Sequence, residues 1–265
     1  MEAPSDALVS LPFRAIDGRI YLDAKVNGVG PYVFALDTGA SGIGRADASL
    51  VAELALPHDG QDETSDGVSS AAVDKVRIAS LSLGGLERHD VSVIARDYRS
   101  KMSAEAAFSG ILGRDFFADG LLVIDFPGRR VEFYRSRDMP ASLLSTMTYE
   151  KAFRVPIALG SLETTGNIDT GANVTLVIPA SLVDKVEVTS LQAAGDASLT
   201  NTRMSTSSAR LSSPLTIGAS SFDDVPVRIV DGYPEVLVGA HALQDRILLI
   251  DQRHRTLALC PAVAR

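Results

Sequence analysis

Apolar residues near the start of the chain fall into short runs and alternations, the period of strands with one buried and one wetted face. Phe13 and Ala15, then Ile20, Leu22, Ala24 and Val26, predict half-buried strand over 11–26. Asn27-Gly28 supplies two residues tolerant of positive φ, the chemistry of a tight hairpin turn. The return strand, Pro31-Tyr32-Val33-Phe34-Ala35-Leu36, runs directly into Asp37-Thr38-Gly39-Ala40-Ser41. Ala46, Leu50 and Leu54 have helical spacing and predict a short helix over 46–56. Residues 57–71 are polar and rich in Gly and Ser, which predicts an exposed loop or hairpin tip. Alternation resumes at 73–78, 81–85 and 91–94. Gly110-Ile111-Leu112-Gly113 then encloses an apolar pair in glycines ahead of a predicted short helix at 114–119. Strands 121–126 and 130–134 form a hairpin about Pro127-Gly128, and residues 136–151, without clear periodicity, read as a linker.

The order of elements then begins again. Gly166-Asn167-Ile168-Asp169-Thr170-Gly171-Ala172-Asn173 echoes the first aspartate loop and the strand leading into it. Leu215-Thr216-Ile217-Gly218 through Asp224-Val225-Pro226-Val227 echoes Leu81-Ser82-Leu83-Gly84 through Asp90-Val91-Ser92-Val93. Leu237-Val238-Gly239 and Ile247-Leu248-Leu249-Ile250-Asp251 echo Leu112-Gly113 and Leu122-Val123-Ile124-Asp125. Three landmarks repeated in one order define a duplicated unit, and two copies make a two-lobed body rather than a solenoid. The expected organisation is a flexible tail at 1–10, an N-terminal lobe at 11–135, the linker at 136–151 and a C-terminal lobe at 152–265, with one Asp-Thr-Gly in each lobe.

Composition narrows the function. The 265 residues, 46% hydrophobic and 22% charged, suffice for one large or two small domains with a real core. A net charge of −8 argues against nucleic acid and anionic membrane as partners. Cys260 is the single cysteine, which removes intrachain disulfides and cysteine metal sites and reads as a small buried hydrophobe in the last strand. His58, His89, His241 and His254 are scattered without ligand spacing, so no metal is expected. No apolar run reaches bilayer length, so no integral membrane segment is expected. The polar opening Met1-Glu2-Ala3-Pro4-Ser5-Asp6 has no signal-peptide pattern and suits an exported chain after signal removal somewhat better than a cytoplasmic one.

The duplicated stretch carries the chemistry. An apolar run followed by a turn sets a carboxylate at a strand end, where water is scarce. Two such carboxylates facing each other cannot both ionise cheaply, so they share a proton. That arrangement can activate a water and protonate a leaving group at one place. A lone Asp-Thr-Gly is an ordinary turn whose aspartate caps backbone N–H groups, so the weight lies on the second copy.

In these residues the chain resembles the aspartic proteases, most closely retropepsin-like members fused into a single bilobal chain. The resemblance covers about 11–135 and 152–262 and rests on Asp37-Thr38-Gly39-Ala40, Asp169-Thr170-Gly171-Ala172, Ile111-Leu112-Gly113 and Leu237-Val238-Gly239. It implies an all-β fold of two pseudo-twofold-related lobes with an active-site cleft between them. It implies that Asp37 and Asp169 are the catalytic pair and that Thr38 and Thr170 hydrogen-bond across the axis to the opposite loop. Gly39 and Gly171 would let backbone N–H groups approach the carboxylates, Ala40 and Ala172 would complete the loops, and Gly113 and Gly239 would end the strand behind each. The implied activity is endopeptidase, without cofactor, on a peptide or protein held in the inter-lobe cleft. A monomer would suffice, since each lobe supplies one aspartate.

Departures from the pattern matter. Ala40 and Ala172 stand where acid-active members usually carry a hydroxyl, and losing a donor near a carboxylate raises its pKa, so an optimum nearer neutral is expected. Neither polar flap region, about 60–74 or 195–210, contains a tyrosine; Gly67, Val68 and Ser69 are the candidate flap tip.

The alternative from another class is a catalytically silent peptide-binding or scaffolding protein on the same fold. A glycosidase would need its carboxyls farther apart than a proton-sharing pair. Ser41 lies close to a nucleophile elbow but lacks the closing glycine at 43, and Gly28-Val29-Gly30 lacks the third glycine of a dinucleotide site. Asn173-Val174-Thr175 has glycosylation spacing yet overlaps the second loop. Asp125 and Asp251 read as turn formers at strand ends, and Asp115 as a helix-start residue.

Overall fold

The structure is a computed structural model that describes residues 6–65, 69–143, 145–198 and 203–262. Among these residues the strands gather into three sheets. An eight-stranded sheet takes, in spatial order, Arg14–Ile16, Arg19–Val26, Val29–Leu36, Gly110–Leu112, Gly44–Asp47, Leu86–Arg96, Ser70–Leu83 and His58–Ser65. A nine-stranded sheet in the second half runs Gln192–Ser198, Arg203–Arg210, Pro226–Val230, Leu176–Pro179, Val236–Gly239, Leu162–Asp169, Arg154–Leu159, Leu215–Ile217 and Ser220–Phe222.

Each half is threaded in the same unusual way. Val29–Leu36 lies parallel to Gly110–Leu112, with Leu36 opposite Leu112, and Gly44–Asp47 lies antiparallel on that strand's other side. Likewise Leu162–Asp169 lies parallel to Val236–Gly239, with Asp169 opposite Gly239, flanked by antiparallel Leu176–Pro179. A parallel neighbour cannot come from a tight turn, so each half must send its chain away and bring it back. The aspartate loop is thereby wedged between two strands rather than left at a free end.

The third sheet joins the halves. Its order is Val9–Pro12, Arg130–Tyr134, Leu121–Asp125, Arg246–Asp251, Thr256–Pro261 and Thr146–Thr148. The central pair is antiparallel and comes from opposite halves, with Leu122 facing Ile250 and Ile124 facing Leu248. One continuous core follows, running from Phe34, Leu112 and Phe133 in the first half to Ile168, Val238 and Ile250 in the second.

Several local expectations change. Asp17 and Gly18 adopt positive φ (50° and 79°) and break the stretch 11–26 into a hairpin between Arg14–Ile16 and Arg19–Val26. Of the expected tail, residues 1–5 lie outside the described residues, while Val9 is fully buried and pairs with Phe133, because its side chain completes the core under the third sheet. The linker stretch contains a strand, Thr146–Thr148, that borrows hydrogen-bonding partners from Thr256–Pro261. Cys260 does lie in the last strand but is only half-buried, near that strand's end, with Ser145 Oγ 3.8 Å from its Sγ. The helix is Ala48–Glu53, capped by Asp47, which accepts the Ser49 N–H at 2.9 Å.

Because the joining sheet serves both halves, Ile250→Ala should remove a fully buried side chain from a shared core and cost about 2–5 kcal/mol. Urea unfolding followed by two probes, one in each half, should show both transitions shifting together; movement of the second half alone would contradict a shared core.

Candidate active site

Asp37 follows the strand Val29–Leu36, and its N–H donates to Leu112 O at 3.0 Å, so the residue is anchored before its side chain is used. The Ala40 N–H donates to Asp37 Oδ1 at 2.9 Å, and the Gly171 N–H donates to Asp169 Oδ1 at 2.8 Å. Each carboxylate is therefore first the acceptor of its own turn, as the bare Asp-Thr-Gly pattern requires. The two turns then meet. The Gly39 N–H of the first half also donates to Asp169, whose carboxyl lies within hydrogen-bonding reach of Asp37's.

The threonines lock this meeting in place. Thr38 Oγ1 donates to Ile168 O at 2.9 Å and accepts the Thr170 N–H at 2.9 Å. In mirror fashion, Thr170 Oγ1 donates to Leu36 O at 2.9 Å and accepts the Thr38 N–H at 3.1 Å. Thr38 and Thr170 are 1% and 0% exposed, so no water can substitute for these partners. Serine could offer the same hydroxyl, but threonine's branched Cβ also restricts its rotamer.

Close approach explains the glycines. A Cβ at Gly39 would collide with the Asp169 carboxyl, and one at Gly171 would collide with that of Asp37. Behind the loops, the Gly113 N–H donates to Ile43 O and the Gly239 N–H to Thr175 O, each at 3.0 Å. The Arg114 and Ala240 N–H groups donate to Ala40 O and Ala172 O at 3.0 and 2.8 Å, so Ala40 and Ala172 hold their loops through backbone atoms.

Electrostatics follow from the packing. Both aspartates are half-buried by surface, yet the loops close tightly around Asp169. Burial first, and then the neighbouring Asp37 charge, push the Asp169 carboxyl up to about 8, against the opposing N–H donors of Gly171 and Gly39.

Side chains without a local sequence signal complete the surroundings. From the first half, Arg19 Nε donates to Gly171 O at 2.7 Å and its Nη2 to Asn173 Oδ1 at 3.1 Å. Asn173 Nδ2 donates to Asp17 Oδ2 at 2.6 Å, and His241 Nε2 lies 3.1 Å from Asp17 Oδ1. These contacts join residues more than 150 positions apart, which no spacing rule reveals. Arg114 reads from sequence only as part of a predicted short helix, yet its Nη1 reaches Gly39 O at 3.4 Å. Beside the first loop, Tyr98 packs on Phe108 with ring centroids 5.6 Å apart. Burial raises the Tyr98 pKa, and the charge of Asp37 adds to that rise, which sets the ring near the carboxyl pair.

Of the candidate flap, Gly67 and Val68 lie outside the described residues, and Ser69 immediately precedes the strand Ser70–Leu83. The second candidate region is a hairpin of Gln192–Ser198 with Arg203–Arg210. A surface depression along the first hairpin, lined by Gln61–Glu63 and Ser70–Ala72, contains neither carboxylate of the pair. Asp138, Asp251 and His254 converge at ligand-like distances, but both Asp251 oxygens already accept from Arg253 and one also lies 3.1 Å from His254 Nδ1. Asp251 and Asp125 do form strand-end turns, accepting the Arg253 and Gly128 N–H groups at 3.1 and 2.8 Å. Asp115 lies in the 3-10 turn Arg114–Phe117. Among the described residues no helix is long and apolar enough to cross a membrane.

A nearly all-β body built twice, each half presenting one Asp-Thr-Gly loop to the other, is the architecture of a bilobal aspartic protease of the retropepsin type. The family model described as aspartyl protease matches the chain twice, over residues 22–116 and 155–248. Those matches cover more than half of the sequence, and the chain belongs to the aspartyl protease family. A search of curated proteins finds no significant match.

A raised carboxyl pKa means that the folded state binds its proton more tightly than the unfolded chain does. Its contribution to stability is therefore present at low pH and lost as pH rises from about 4 towards about 8. Asp169→Asn, which removes the like-charge conflict, should raise the unfolding midpoint more at pH 8 than at pH 4. Equal shifts at the two pH values would contradict the coupled pair.

Proposed function

We propose that the chain is an aspartic endopeptidase that hydrolyses peptide bonds with a water activated between Asp37 and Asp169. The observation that carries this reading is the meeting of the two aspartate loops, one from each half: Gly39 and Gly171 lie against the opposite carboxyls and Thr38 and Thr170 bond the opposite loops. In the reaction the ionised side of the pair accepts a proton from the bridging water, which attacks the scissile carbonyl carbon. The protonated side donates a hydrogen bond to the carbonyl oxygen and stabilises the developing tetrahedral intermediate. The intermediate collapses as a proton reaches the amide nitrogen, and the pair is ready again with one proton.

The surrounding residues act by holding geometry. Thr38 and Thr170 fix the two loops against each other, and Gly39 and Gly171 allow the approach. Such rigidity is what the chemistry demands, since attack requires the water, both acids and the carbonyl to be positioned together. The substrate is a peptide or protein segment lying between the lobes beneath the two candidate flap hairpins. A single chain supplies both acids, so a monomer is sufficient.

The pH range follows from the same site. The side chains of Ala40 and Ala172 offer no hydroxyl to either carboxylate, and Asp169 titrates well above an ordinary aspartate. The optimum should lie at about pH 5–7. Cleavage of a broad peptide library across about pH 3–8 should also show Asp37→Asn and Asp169→Asn each losing about a thousandfold or more. A rate peaking well below pH 4 would contradict the pKa argument. A single mutant retaining full activity would break the pairing, and a native chain that binds peptides but cuts none would favour the silent binding protein.

A further inference from the structure

The duplicated halves are not equivalent where they flank the aspartate loops. In the first half Arg45 pairs with Ile111 on the strand behind the loop; in the second, Val177 pairs with Leu237 at the matching position. Strand alternation fixes the direction of Arg45. Its neighbour Ala46 is fully buried in the main core, so Arg45 stands on the opposite face of the sheet. That face carries Ile111, Ala35, Tyr21 and Phe108, clustered with Ala40 of the first loop. Val177 and Leu237 hold the corresponding place in the second half, beside Ala172. The positive charge of Arg45 is felt by Tyr98, as is the negative charge of Asp37, so all three share one neighbourhood.

Arg45 is half-buried, yet it has no hydrogen bond or ion pair among the described residues. Other basic side chains on the same face do have partners: Lys75 with Asp62 at 3.8 Å and Arg77 with Asp59 at 2.8 Å. Arg96, which also adds positive potential near Tyr98, has an interaction of its own. A half-buried guanidinium without a partner is costly to keep in a protein whose net charge is −8 and which has carboxylates to spare. Its planar fork is suited to a carboxylate supplied from outside.

We propose that Arg45 forms a carboxylate-binding subsite on the first-half side of the carboxyl pair, while Val177 leaves the second-half side apolar. Preferred substrates carry a carboxylate at one fixed position relative to the cut, from an Asp or Glu side chain or from the C-terminus of a short peptide. The proposal rests on the peptidase reading and names the substrate class of that site.

The test compares kcat/KM for peptides that differ only by Glu or Gln at each position around the cut, each made with a free and an amidated C-terminus. Native protein should favour Glu at one position by about tenfold or more, the worth of a charge-assisted hydrogen-bonded contact. Arg45→Val should bring that ratio to about one, and Arg45→Glu should invert it in favour of Gln. A Glu-over-Gln preference that survives amidation assigns the carboxylate to a side chain; a preference for free over amidated peptides, with Glu and Gln equal, assigns it to the chain end. Native ratios near one both for Glu over Gln and for free over amidated peptides, or a preference that persists in Arg45→Val, overturn the subsite. If native protein cuts nothing, the same peptides, dye-labelled, are measured by binding anisotropy. Glu-over-Gln discrimination that Arg45→Val abolishes then keeps the subsite and removes the peptidase reading. Absence of discrimination in binding overturns the subsite as well.

Discussion

Two carboxyl groups held face to face are the constraint on which the rest of this structure depends. Like charges about 4 Å apart at an effective dielectric of about 20 repel by about 4 kcal/mol, a large fraction of the stability of a folded domain. Sharing one proton removes much of that repulsion, but only if neither loop can swing away. The four cross-axis hydrogen bonds of Thr38 and Thr170 prevent this. At about 1 kcal/mol each they are of the same order as the repulsion they oppose. Their burial makes them far harder to lose than that net figure suggests, because a broken bond would leave polar groups without water.

That network in turn needs a stiff frame. Each aspartate loop is followed by a strand that lies antiparallel to the returning Gly110–Leu112 or Val236–Gly239. The aspartate-bearing strand runs parallel on the other side of the returning strand. The loop is thus pinned through Asp37 N–H to Leu112 O and Gly113 N–H to Ile43 O, with a matching bond at Gly239. Farther away, the antiparallel pairing of Leu121–Asp125 with Arg246–Asp251 ties the halves through their cores. Relative motion of the lobes would therefore have to disturb a continuous sheet before it separated the carboxyls.

Much of this was legible in the sequence because it is local or repeated. Asn27 and Gly28 announce their turn and adopt positive φ (52° and 77°) between the predicted strands. The repeated Asp-Thr-Gly and apolar-apolar-Gly elements place two equivalent loops without any knowledge of contacts. What stayed hidden depends on residues distant in sequence. Arg19 reads as one polar residue in an alternating strand, and only the folded chain brings it to Gly171 O. Val9 looked like part of a loose tail because its pairing partner, Phe133, lies in another hairpin altogether. Residue type alone makes Cys260 a buried residue, whereas exposure near the end of its strand is set by what packs there.

Duplication also explains where the two halves stay alike and where they part. The meeting of the two loops requires symmetry: each threonine needs the opposite loop, and each glycine clears the opposite carboxyl. A change in one copy would disable both, so Thr-Gly-Ala follows the aspartate in each half. Among the described residues no such bond links Arg45 to Val177, so those positions can differ without disturbing the pair. A peptide chain is itself directional, with different side chains on the two sides of any bond to be cut. On the proposed peptidase reading, a symmetric acid pair cannot read that direction, so selectivity would come from the flanking positions where the halves differ. The guanidinium standing opposite a valine is such a difference, and it lies on the same sheet face as the residues that pack against the first aspartate loop.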